Sequence, residues 1–103
     1  KDLEVFDINL NNQTTGLEFD LYQNQPNPFT DYTTIGFDLP EDAEYTLSLF
    51  DVTGKTIKVI NAQGHAGYNQ AKVTKADLGV SGMVYYKLET ASRTATKHMI
   101  LIE

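Results

Sequence analysis

Polar and apolar residues alternate along most of the chain, and the 3.6-residue period of an amphipathic helix is scarce. Thr33 to Leu39, TTIGFDL, sets Ile35, Phe37 and Leu39 on one face and Thr34, Gly36 and Asp38 on the other, which predicts a half-buried strand. Tyr45 to Val52 begins with Tyr45, Leu47 and Leu49 against Thr46 and Ser48, then changes phase at Phe50 and Val52, as a strand does at a bulge or where it crosses a sheet edge. Thr56 to Ile60 and Tyr68 to Thr74 continue the pattern, the second with Asn69, Ala71 and Val73 on one face. Val84, Tyr86 and Leu88 share a face in MVYYKLET. The last run, Ala95 to Ile102, is apolar on both faces from Met99 onward, which predicts a strand covered on both sides or capped by a partner.

Turn chemistry separates these runs. Pro40 and the acids of LPEDAEY mark one turn, and NAQGHAG reads as a polar loop. Asp51-Val52-Thr53-Gly54-Lys55 is the sharpest local signal: Asp suits the first position of a type I turn, and Gly the left-handed position of a hairpin that ends in a bulge. Lys75 to Gly79 is too short for a stable helix and predicts one helical turn anchored by Leu78. Leu3 to Leu10 is a possible additional strand, and NNQTTG after it a polar linker. About seven short strands with turns every ~8 to 12 residues predict an all-β fold, an antiparallel β-sandwich of immunoglobulin-like type, with an even-stranded barrel as the structural alternative.

Length and composition narrow the picture. A chain of 103 residues holds one core, and 41% hydrophobic content with six Tyr and five Phe suits a globular domain. No apolar run approaches the ~18 to 20 residues of a membrane span, so no membrane insertion is expected, and the first residues lack the features of a signal peptide. The missing initiator Met is read as the mark of a segment excised from a longer protein. Cysteine is absent, which excludes disulfides and thiolate metal sites. Lys1 to Asp51 carry one Lys against eleven acids, whereas Val52 to Glu103 carry seven basic residues against three acids. Charge complementarity between the paired halves is the expectation from this asymmetry, ahead of an interaction surface. The overall charge of −6 argues against a nucleic-acid partner.

Catalytic chemistry is hard to assemble from these residues. His65 and His98 stand alone, no serine has a nucleophile-elbow context, and no Gly-rich phosphate loop precedes a helix, so neither an enzyme nor a cofactor is expected. Glu41, Asp42 and Glu44 lack the spacing of a calcium loop and read as a solvated turn. The six tyrosines suit strand positions with their hydroxyls at the surface; an exposed row of them would stack on sugar rings or on another protein. Asn12-Gln13-Thr14 matches a glycosylation sequon, which has meaning only in a eukaryotic secretory path.

Pro26 and Pro28, in LYQNQPNPF, lack N–H donors and push Gln25 and Asn27 toward extended geometry. The stretch therefore predicts a stiff, straightened edge piece pinned to the core by Phe29, whose full burial is worth roughly 1.5 to 3 kcal/mol.

Taken in order, LYQNQPNPF, TTIGFDLP, YTLSLFDVTGK, GYN, LGVSGMVYYKLE and ATKHMILIE resemble the type A C-terminal sorting domain of proteins exported by the type IX (Por) secretion system of Bacteroidetes. The likeness spans Phe19 to Glu103 and divides the chain into a linker or added strand at 1–18 and a sorting domain at 19–103. It implies an immunoglobulin-like sandwich at the end of a larger secreted cargo, reaching the cell surface or medium through the periplasm. The implied partners are the outer-membrane secretion machinery and a cysteine-protease-class sortase, which cuts the domain off and attaches the cargo to an anionic lipopolysaccharide. The domain is then a substrate of that enzyme. The resemblance places the proline motif on Pro26, Asn27, Pro28 and Phe29, the Asp-x-x-Gly turn on Asp51 and Gly54, the glycine-led strand on Gly82, Tyr86 and Leu88, and the basic start of the last strand on Lys97. Val84 stands where many members have Tyr, and His98 where a second Lys is common. The cut is expected upstream of the folded module, in Asn9 to Gly16. The competing readings are a non-catalytic carbohydrate- or protein-binding module of a secreted enzyme, and a structural sandwich supporting a neighbouring domain.

Overall fold

The computed structural model describes residues 18–79 and 81–102. Among them lie seven strands: β1 (Asp20–Leu21), β2 (Tyr32–Leu39), β3 (Ala43–Phe50), β4 (Thr56–Gly64), β5 (Gly67–Thr74), β6 (Gly82–Glu89) and β7 (Thr94–Leu101). One helical turn, α1 (Lys75–Leu78), joins β5 to β6. Two antiparallel sheets form, one in the order β1-β2-β5 and the other in the order β4-β3-β6-β7. The architecture is the predicted all-β sandwich, with two separate sheets and not a closed barrel. The expected strand and linker ahead of residue 18 lie outside the described residues.

Alternation builds the core. Ile35, Phe37 and Leu39 of β2 with Ala71 and Val73 of β5 face Leu47 and Leu49 of β3, Val84, Tyr86 and Leu88 of β6, and Met99 and Leu101 of β7, all buried. Side chains of period two from two sheets interdigitate in one hydrophobic layer. The register of β3 against β4 shifts between Leu49 and Phe50, with Ile57 of β4 as the extra residue, while Phe50 keeps the alternation of β3 and lies on the outer face under Lys87, an apolar residue at an outward position.

The helical turn has its own local logic. The Thr74 hydroxyl accepts from Asp77 N–H at 3.2 Å, Asp77 Oδ2 accepts from Thr74 N–H at 3.0 Å, and Leu78 is buried as predicted. Hydrogen bonds from Thr74 hold the Asp77 carboxyl below the ordinary aspartate value, with Lys58 at 3.5 Å adding to the effect.

Two expectations are corrected. First, β4 runs on through Gly64, four residues past the expected end, because Asn61 and Gln63 pair with Thr46 and Glu44 while their polar side chains stay on the outer face. An edge strand facing water does not need apolar alternation, so the sequence signal faded before the strand did. Second, β7 is not covered on both sides: Met99 and Leu101 are buried, but Ile100 and Ile102 remain exposed. The ion pairs among the described residues, Lys58–Asp77 and Lys87–Glu89, join partners within the second half, while Lys55 of the second half adds to the lowering of Asp51 in the first.

Candidate functional site

The proline-bearing arm after β1 is bent, where a straight edge piece was expected. Tyr22 N–H donates to Gly36 O at 3.0 Å, and Gln25 exchanges backbone bonds with Thr34 at 2.9 and 2.8 Å, so the arm starts as an extension of the three-stranded sheet. It then bends through Pro26, Asn27 and Pro28, whose Gln25-Pro26 and Asn27-Pro28 bonds are cis, and reaches the other sheet. There Phe29 N–H donates to Ile100 O at 3.0 Å, and Ile102 N–H donates to Phe29 O at 2.8 Å. The physical reason for the bend is a set of buried side-chain bonds inside it. Asn24 Nδ2 donates to Pro26 O at 3.1 Å and to the Thr33 hydroxyl at 2.9 Å, and that hydroxyl donates to Pro26 O at 2.8 Å.

The arm thereby closes half of an open sheet edge. Along β7 and just past its end, backbone groups of residues 98, 100 and 102 point away from β6, and four of them meet side chains or backbone of the arm. Gln23 Nε2 donates to His98 O at 2.7 Å, and Ile100 N–H donates to Asn27 Oδ1 at 3.0 Å, beside the Phe29 bonds. Two amide side chains stand in for a neighbouring strand, which blunts the edge against pairing with other chains. The prolines expose no N–H that would need a partner, and both rings lie at the surface.

Tyr86 fastens the arm from below. Its ring is buried, its hydroxyl accepts from Asn24 N–H at 3.0 Å, and it donates to Tyr22 O at 2.8 Å. Burial pushes the phenol up to about 12 from the ordinary 10.0, against the opposing effect of the Asn24 N–H donor. Phe29 is buried beside Leu101. Tyr86 of the predicted glycine-led strand thus holds the arm just ahead of the predicted proline motif.

The remaining motif residues divide by position. Asp51 Oδ1 accepts from the Thr53 hydroxyl at 2.6 Å, Thr53 N–H at 2.9 Å and Lys55 N–H at 3.0 Å, and Gly54 takes φ +91°, the left-handed conformation the turn requires. The Thr53 hydroxyl is the main reason that the Asp51 carboxyl titrates below its usual range. Gly82, at φ +98°, pairs with Leu101, and Phe50 pairs with Tyr85. Since β3 ends, β6 starts and β7 ends together, the 51–54 turn, Gly82 and the Pro26–Phe29 corner share one end of the sandwich. Lys97, opposite Tyr86, lies mid-strand, and Leu88 sits in the core toward the other end.

Sequence reasoning missed Gln23, Asn24 and Thr33. Asn24 meets Tyr86 across 62 positions and Gln23 meets His98 across 75, so no local pattern could flag them. His65 bonds to Ala66 O and Asn69, while His98 meets the Tyr85 ring edge-to-face with centroids 6.0 Å apart. Among the described residues no group of three or more His, Cys, Asp or Glu side chains is arranged to hold a metal ion. Nor is any helix there long and apolar enough to cross a membrane.

These features define a small β-sandwich whose last strand is capped by its own leading arm. Residues 20–103 match the family model of the secretion system C-terminal sorting domain, and the chain belongs to that family. It is a C-terminal sorting signal of type IX secretion and directs export through that system. No curated protein matches the chain.

Proposed function

We propose that the folded sandwich is the address read by the outer-membrane machinery of type IX secretion, and that its capped end is the surface read. The observation that carries this reading is the coincidence of two boundaries: the family match starts at residue 20, the first residue of β1, and covers every described strand. The signal is therefore a whole module and not a short tail peptide. At the capped end the exposed Val52, Met83, Ile100 and Ile102 lie beside the arm corner and supply apolar contact area.

In this reading the domain performs no catalysis of its own. Cargo crosses the periplasm, passes the outer membrane and reaches the cell surface or medium, while a sortase cuts between Asn9 and Gly16, ahead of the module. The test is a fusion of the whole chain behind a periplasm-targeted fluorescent protein in a type IX-competent bacterium, with sequencing of the released fragment. A fragment starting within residues 9–16 is expected. A fragment starting inside the match at 20–103, or secretion with the domain intact, contradicts the proposed cut.

A further inference from the structure

The outer face of the three-stranded sheet carries a groove of about 540 Å³ that the sorting role does not use. One wall is aromatic. Tyr22 and Tyr68 stand with ring centroids 6.1 Å apart and a tilt of 44°, each about half exposed. That spacing is too small to admit a sugar ring between them, so the two rings form a single continuous shelf. Their placement is fixed from beneath. The Tyr22 hydroxyl donates to Asp38, the Tyr68 hydroxyl accepts from Gln70 Nε2 at 3.4 Å, and Tyr68 lies over Gly36, where a Cβ would come within 2.8 Å of its ring. Asp38 raises the Tyr22 phenol to about 12, so it stays protonated and bonded across the ordinary pH range.

The rest of the groove is neutral and rich in amides. Gln23, Gln25 and Gln70 border it, and Thr34 and Gly36 form its floor. A primary amide both donates and accepts, which matches the paired hydroxyls of a sugar, while the electron-rich face of an aromatic ring attracts the C–H face of a pyranose. A concave site with a fixed apolar wall and a few convergent polar groups is the usual form of a small-ligand site. Asp38 and Asp20 lie directly opposite each other on neighbouring strands, and no ion pair among the described residues reaches either, which disfavours an anionic ligand.

We propose that this groove binds a neutral pyranose oligosaccharide, with Tyr22 and Tyr68 as the stacking shelf and Gln25 and Gln70 as the hydroxyl readers. The site shares only Gln23 with the arm that caps β7 and does not depend on the export reading. Its purpose would be to hold the module against glycan. Because the aromatic shelf is already fixed, ordering costs on binding are small there.

The test is an amide-resolved NMR titration of the whole chain with cellohexaose, laminarihexaose and mannohexaose in turn, each up to about 10 mM, a range that covers weak binding. Saturable shifts at Thr34, Gly36 and Gln70 with at least one sugar are expected. Tyr68→Ala should weaken the response about tenfold, and Gln25→Ala, which leaves the aromatic shelf in place, should weaken it severalfold. No shift at the groove with any of the three sugars overturns the proposal. So does binding that both variants leave unchanged, or a groove response that follows protein concentration without sugar, which would make the face a contact between copies of the chain.

Discussion

Tyr86 shows how one hydroxyl joins two parts of the chain that are remote in sequence. Replacing it with Phe keeps the buried ring but leaves Asn24 N–H and Tyr22 O without their partner, which should cost about 1 to 3 kcal/mol. Scanning calorimetry should then register a fall in Tm of about 4 to 8 °C per kcal/mol. The same hydroxyl predicts a pH dependence. A phenol raised from 10.0 to about 12 by folding contributes stability that is complete below pH 10 and disappears as pH rises toward 12. Unfolding curves should thus show wild type weakening across that window, with Tyr86→Phe weakening less; an equal slope in both would contradict the assignment. At the acid end the sign reverses. Asp51 is depressed below 3.8, so its contribution is present above that value and lost as pH falls further, and Asp51→Asn should flatten the acid limb. Phe29→Ala should cost about 3 to 5 kcal/mol, the range for deleting a buried ring.

At the scale of elements, the arm and β7 make one unit. Ile100 N–H and Ile102 N–H are held by Asn27 and Phe29, whereas residues 59, 61 and 63 of β4 face the opposite edge, where no other described strand pairs. Hydrogen exchange should therefore be slow at Ile100 and Ile102 and fast at Val59, Asn61 and Gln63, and Asn27→Ala should speed Ile100 selectively. Uniform exchange along both edges would refute the capping role. Most elements were legible in the sequence for a simple reason: β2, β3, β5 and β6 each bury one face, and burial writes alternation into the residues. The extension of β4 was not legible, because Ala62 and Gly64 continue the pairing to Tyr45 and Ala43 while Asn61 and Gln63 add no apolar alternation. The bend of the arm was not legible either. Proline chemistry described the local stiffness correctly but not the Asn24, Thr33 and Tyr86 bonds that decide its course. Likewise the ten motif residues could be placed from the resemblance, but their grouping into a capped end, a mid-strand Lys97 and a core Leu88 required the register.

For the whole molecule, the outer surface and the core make separable demands. Val52 is 66% exposed in its turn, so Val52→Ser should leave Tm nearly unchanged while reducing export severalfold if the capped end is the surface read. The more direct measurement concerns the module itself. A periplasm-targeted reporter fused ahead of residues 18–103 is to be quantified in the medium, at the cell surface and in the periplasm, in a type IX-competent strain and in its derivative lacking the outer-membrane machinery. The account predicts reporter outside the outer membrane in the first strain and confined to the periplasm in the second. Reporter retained in the periplasm of both strains, or found outside in both, would contradict a sorting role.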